Sequence, residues 1–199
     1  MAKLKIYTFP DAVLSQKALP IARVEASHRR IADDMLETMY AAPGIGLAAN
    51  QVGLLERMVV IDTDYEVEEM AEGIDEMPEG GEATAGGIIT CRNPRVIINP
   101  EIVHREGKIL FSEGCLSVPE FTAEVERAEK IRIQYQDLDG LTKTLDADGL
   151  LAICIQHEMD HLDGILFIDH LTALKRNIIL RKLLKAKKAA PQPARDHAL

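Results

Sequence analysis

The run His157-Glu158-Met159-Asp160-His161 constrains this chain more than any other feature. On a helix it sets two imidazoles at i and i+4, one turn apart on one face, where both can bind one divalent metal. The Glu between them can reach a water on that metal. On the same face, before His157, stand Leu150, Ile153 and Cys154, at i−7, i−4 and i−3, so the face is apolar and turns inward. A solvated helix with two surface histidines is the competing reading. Against it, burying two imidazoles and a carboxylate without partners costs on the order of several kcal/mol. A metal removes that cost, and the helix that carries it has to lie inside the molecule.

A third ligand is at hand in Glu113-Gly114-Cys115-Leu116-Ser117, roughly forty residues earlier. The ordinary role of a free Cys is a small buried hydrophobe, but here it follows a Gly that permits unusual backbone angles. Cys91 and Cys154 are weaker candidates, one bordering an acidic stretch and the other placed to pack. Three protein ligands with one open position is the pattern of a catalytic site, whereas structural zinc is closed by four. The residues point to metal-assisted hydrolysis.

At 199 residues the chain is long enough for one domain with a real core and short for two. Its 47% hydrophobic and 28% charged residues are ordinary for a soluble protein. No apolar run approaches a membrane span, and Met1 to Tyr7 has no apolar signal core. Three cysteines cannot pair completely, which argues for a reducing, cytoplasmic setting. The net charge of −9 is local: residues 62–86 hold ten acids and no Lys or Arg. From Lys175 to Lys188 there are seven Lys or Arg and no acid.

Residues 26–42 read as an amphipathic helix with Ser27 as N-cap, stopped by Pro43-Gly44. A buried strand follows at 57–62. The acidic, Gly-rich stretch 63–94 reads as a surface insertion loop, or a partly disordered one. Strands are expected near 95–103, 108–112, 122–127, 130–137 and 141–146. The His-bearing helix covers 148–161, a last helix runs over about 171–188, and 189–199 is a flexible tail. Helices at both ends of a run of strands predict an α+β fold, one domain over 1–188, with strands packed around the central metal-binding helix.

Three motifs occur in order: Gly44-Ile45-Gly46-Leu47-Ala48-Ala49-Asn50-Gln51, the Cys115 motif, and Gln156-His157-Glu158-Met159-Asp160-His161. Together they resemble peptide deformylase, over about residues 3 to 185. The resemblance implies hydrolysis of the N-formyl group from nascent formylmethionyl peptides, with release of formate. It implies a metal on Cys115, His157 and His161, with Fe(II) native and Zn(II), Ni(II) or Co(II) able to substitute. Glu158 would be the general base. The Gln51 amide and the Leu116 backbone N–H would face the developing oxyanion, and Gly46 would let the backbone approach the substrate. Ile45, Phe111, Leu150, Ile153 and Cys154 would line the methionine pocket, and Glu113 with Arg127 would brace the metal loop.

Two departures stand out. The acidic insertion is longer than in most members, and the basic residue many members carry after the Cys motif is absent from Glu120-Phe121-Thr122-Ala123-Glu124. Peptide binding beyond methionine would then rest on main-chain pairing to an edge strand. The basic last helix, with Leu174, Ile178, Leu180, Leu183 and Leu184 as an apolar stripe, suggests docking to the ribosome, a dense polyanion. The expected protein is a monomer. Two other readings stay open on sequence: a zinc peptidase drawing its third ligand from Asp163, Asp169 or His170, and a metal-bound binding module without turnover.

Overall fold

The computed structural model describes residues 3–68, 82–84 and 87–189. Helix α1 spans Ala26–Ala41 and buries His28, Ala32, Met35 and Met39, spaced three or four apart as an amphipathic helix requires. Its N-cap is Glu25 and not Ser27: the Glu25 backbone N–H donates to His28 Nδ1 at 2.8 Å, a side chain one turn ahead. At the far end the Gly44 N–H donates to the Met39 carbonyl at 3.0 Å and turns the chain out of the helix.

Among the described residues ten strands follow in antiparallel pairs: β1 (Gly46–Ala48), β2 (Met58–Ile61), β3 (Glu66–Glu68), β4 (Glu82–Thr84), β5 (Gly87–Thr90), β6 (Arg95–Glu106), β7 (Ile109–Cys115), β8 (Val118–Arg127), β9 (Lys130–Gln136) and β10 (Thr142–Asp148). Helix α2 covers Gly149–Leu162 and α3 covers Ala173–Ala189. The main sheet has the order β1-β2-β6-β9-β10, and β7-β8 forms a separate hairpin.

The period of two along β2 decides what each side of the main sheet meets. Val59 and Ile61 pack with Ala152, Cys154, Ile155 and Leu162 of α2. Met58 and Val60 point the other way and pack with Ala32, Met35 and Met39 of α1. The sheet is thus sandwiched between α1 and α2, and α2 is buried nearly all round: Ile155, His161 and Leu162 are each 0% exposed. A third cluster joins Val118 and Val125 of β8 to Phe167, Ile168 and Leu183. The α+β architecture expected from the sequence is the one observed.

Two further expectations need correction. The insertion is not without regular structure: β3, β5 and β4 form a three-stranded antiparallel sheet. Ile89 of β5 is 1% exposed and joins the α1 cluster, which ties this sheet to the core. The density of acids hid strands only three or four residues long. Residues 69–81 and 85–86 of that stretch, and the predicted tail beyond Ala189, lie outside the described residues. On α3 the proposed single stripe is split. Leu183 is buried and Ile179 and Leu180 pack beside it, while Leu174 and Ile178 are 73% and 47% exposed. Nine residues separate Leu174 from Leu183, which puts them on opposite faces of a helix. Among the described residues no helix is long and apolar enough to cross a membrane.

Candidate active site

The fold brings the predicted ligands together from two elements. Helix α2 delivers His157 and His161, whose ring centroids are 5.0 Å apart. The turn from β7 into β8, where the hairpin register shifts between Gly114 and Cys115, delivers the thiol. The ligand atoms of Cys115, His157 and His161 all lie within 4.8 Å of one another. Cys115 Sγ is 3.1 Å from His161 Nε2, and the Ser117 backbone N–H donates to the sulfur at 3.3 Å. Burial first, then the nearby His157 and Arg127, hold His161 well below the usual histidine range. That direction favours the neutral imidazole, the form that ligates a metal. A thiolate and two imidazoles are a donor set that fits a divalent transition metal.

His157 is oriented from behind. Its Nδ1 lies 2.8 Å from Glu113 Oε2, so the other ring nitrogen is left for the metal site. Arg127 grips Glu113 bidentately at 2.6 and 3.0 Å, and its remaining nitrogen reaches Asp160 Oδ2 at 2.5 Å. His170 Nε2 closes the chain on the same Asp160 oxygen at 2.6 Å. Burial alone would raise the Glu113 carboxyl. The hydrogen bonds and charges of Arg127 and His157 outweigh it and hold the group at about 2. An ionised Glu113 is thus permanent at neutral pH, and it fixes the ring it faces.

Glu158, 4% exposed, points into the same space, and its Oε2 is buried without a hydrogen-bond partner. Burial, only partly relieved by His157, pushes its carboxyl up to about 7. Gly46 is what admits it. A Cβ at that position would stand 2.5 Å from Glu158 Oε1 and 2.7 Å from Cys154 Sγ. Sequence reasoning assigned the small residue to substrate approach; it lines the cleft, and it also makes room for the carboxylate. Gln51 is buried in the turn Ala49–Val52. Its Oε1 accepts from the Ala48 N–H at 2.8 Å, which sends the amide NH₂ toward Ser117 Oγ at 3.1 Å and Cys115 Sγ at 3.7 Å. One orientation of the amide is therefore imposed by the backbone.

These groups face a cleft of about 500 Å³. Its lining includes Ile45, Gly46, Gln51, Phe111, Cys115, Leu116, Leu150, Ile153, Cys154, His157 and Glu158, so ten of the predicted positions beside Cys115 meet in one cavity, with His161 just behind its wall. Ile153 and Cys154 are buried deep, while Ile45, Phe111 and Leu150 are 37–40% exposed at the mouth. Cys91 is exposed and outside the metal cluster.

Sequence reasoning missed three contributors. Asp160 anchors Arg127, Ser117 holds Gln51, and Asn50 donates from Nδ2 to the His161 carbonyl, fixing the end of α2. Asp160 and Asn50 lie inside quoted motifs, but their partners are 33 and 111 residues away. The ligand candidates of the peptidase reading are engaged elsewhere. Asp163 pairs with Arg57 and Lys17, Asp169 with Arg176, and His170 with Asp160.

Comparison with known proteins points one way. The family model described as polypeptide deformylase matches residues 3–177. A peptide deformylase of Alkalilimnicola ehrlichii is 50% identical, covering 93% of this chain and 91% of that one. One from Agrobacterium fabrum is 48% identical, covering 90% and 94%. The crystal structure of the Ehrlichia chaffeensis enzyme superposes with a TM-score of 0.77 at 39% identity, covering 94% and 98%. That agreement spans both the cysteine hairpin and the histidine helix, and on this ground the chain belongs to the polypeptide deformylase family.

Proposed function

We propose that this chain is a metal-dependent amide hydrolase that removes the N-formyl group from the formylmethionine of nascent peptides, releasing formate. The observation that carries the reading is the convergence of Cys115, His157 and His161 beside the unpartnered oxygen of Glu158, at the floor of an apolar cleft. A divalent metal held by those three residues would polarise the formyl carbonyl and acidify a water beside it. Glu158 takes the proton of the attacking water and returns it to the departing amine, a task suited to a carboxyl tuned toward neutrality. The Gln51 amide and the Leu116 backbone N–H donate to the oxygen that gains charge. Ile153 and Cys154 form the deep apolar wall for the methionine side chain, with Ile45, Phe111 and Leu150 around the entrance.

The test is an anaerobic assay of enzyme loaded with Fe(II), Ni(II) or Zn(II). N-formyl-Met, N-acetyl-Met and internal-peptide substrates are offered in parallel. Formate release from the first alone is expected; internal cleavage would replace the reading with a peptidase. We take Fe(II) as the native ion, with Co(II) or Ni(II) as active substitutes and Zn(II) as a weaker one. A thiolate ligand and an open site expose an oxidisable ion to oxygen, so the Fe(II) form should lose activity in air within the time that the Ni(II) form keeps it. Equal decay of the two would remove the basis for iron.

We also read residues 1–188 as a single catalytic domain with 189–199 as a tail, working as a cytoplasmic monomer. Three free cysteines among the described residues suit a reducing compartment. The exposed face of α3, with Leu174, Ile178, Lys175, Arg181 and Lys185, supports docking to the ribosome. Lys182 is better left alone in a test, since it lies 6.0 Å over the ring of Phe121, which lines the cleft. Changing Lys175, Lys185 and Lys187 to Glu should weaken ribosome co-sedimentation in a salt-sensitive way and leave turnover of a short formyl-peptide unchanged. Undiminished co-sedimentation at low salt would sink the docking idea.

A further inference from the structure

The segment Gly44–Gly46 forms one wall of the cleft, and its carbonyls are held from the root of the acidic insertion. The Asp62 backbone N–H donates to the Ile45 carbonyl at 2.9 Å, and Gly46 pairs with Ile61 in the sheet. The Gly44 carbonyl instead accepts from a side chain, the Tyr65 hydroxyl, at 3.0 Å. Without a Cβ, Gly44 also lies close against Leu116, whose Cδ1 would be 2.8 Å from one. The position of this peptide therefore bears on both walls of the cleft.

Tyr65 is itself fixed. Its ring stands edge-on to Tyr40 with centroids 5.2 Å apart, and Arg92 lies 4.2 Å over the Tyr40 ring. Beneath them Asp62, 0% exposed, accepts from the Tyr40 hydroxyl at 2.6 Å, the Asn93 N–H at 2.8 Å and the Asp64 N–H at 3.0 Å. The two ends of the insertion, 62–65 and 91–95, are thus clasped around one buried carboxylate. Burial, and after it the charge of Asp62, raises the Tyr65 hydroxyl above its usual value, so it remains an O–H donor at any physiological pH.

We propose that Tyr65 is a positioning residue for substrate binding: through the Gly44 carbonyl it sets the wall against which the formylmethionyl peptide lies. The insertion thereby contributes to the cleft from its root. The inference deepens the deformylase reading and rests on it. The contacts of Tyr65 are to the Gly44 carbonyl and the Tyr40 ring, not to the metal ligands or Glu158, so its loss should act on binding and leave the chemical step alone.

The test is steady-state kinetics of the metal-loaded, full-length enzyme on a formyl-Met peptide, comparing wild type, Tyr65→Phe and Asp64→Asn. Tyr65→Phe keeps the ring on Tyr40 and deletes the one hydrogen bond. KM should rise about two- to tenfold, the range for one such bond, with kcat within about twofold. Asp64 bonds Asn93 and Arg95 on the same stem but not the wall, so Asp64→Asn should leave both constants unchanged. An unaltered KM in Tyr65→Phe would overturn the proposal. So would a kcat loss that tracks a lowered melting temperature, or an equal KM rise in Asp64→Asn, because either would mean general loosening of the stem. Wild-type turnover in the same assay separates the two readings: its absence would overturn the deformylase reading itself.

Discussion

Glu158→Ala should abolish deformylation while the protein keeps its metal. The expected loss in kcat is about 10²–10⁴-fold, the range for removing a positioned general acid–base group. Glu158 projects from α2 one residue after His157, yet it lies outside the cluster of Cys115, His157 and His161 that could hold a metal. Its Oε2 has no hydrogen-bond partner, so the substitution deletes a buried polar atom that nothing in the fold satisfies. The carboxylate keeps one backbone contact, to Ala48, so the stability cost should be limited to that hydrogen bond, on the order of 1 kcal/mol. The check is metal stoichiometry by elemental analysis alongside formate release. A variant that loses metal and activity in the same proportion would show that Glu158 is a ligand. A conservative Glu158→Gln should fail as badly, because the amide keeps the volume but cannot take a proton.

Cys115→Ala should behave differently, losing tight metal binding together with activity. The thiol is one of three donors, and it is the only one that comes from outside α2. Two histidines on one helix remain, an incomplete set for a catalytic ion. Metal retained after dialysis against a mild chelator should drop at least about tenfold. Because a bound ion stabilises only the folded state, the melting temperature in added metal should no longer exceed that in its absence. Full metal content in Cys115→Ala would remove the thiolate from the ligand set.

The contrast between these two variants shows which information is local. On a helix the spacing of His157, Glu158 and His161 fixes their relative positions, because 3.6 residues per turn is a property of the backbone. The apolar positions Ile153 and Cys154 on the same helix say that this face is buried, and both are 4% exposed. Four strands of the main sheet were legible, β9 through its alternation, and so was α1 through its helical spacing; β1, three residues long, was not. The resemblance carried by three ordered motifs then tied the cysteine hairpin to the histidine helix across the chain.

What the chain does not announce is who meets whom across the sheet. Gly46 and Glu158 are remote in sequence, and only the pairing of β1 against β2, with α2 laid over both, brings them so close that no side chain fits between. The same holds for Asp160 and Arg127, for Asn50 and the His161 carbonyl, and for Tyr65 and Gly44. Short strands such as β3 and β4 have too few residues to display a period, and their acids read as solvent-facing loop. On α3, the choice of Leu183 over Leu174 as the buried residue depended on where β8 and Phe167 offer an apolar surface. The sequence by itself determined the periodic elements and the reactive residue types, because these follow from backbone geometry and side-chain chemistry. Only the tertiary structure decided the meeting of Cys115 with His157 and His161, the room for Glu158 beside Gly46 and the bond from Tyr65 to the Gly44 carbonyl, because each is a contact between segments whose distance depends on sheet order and packing.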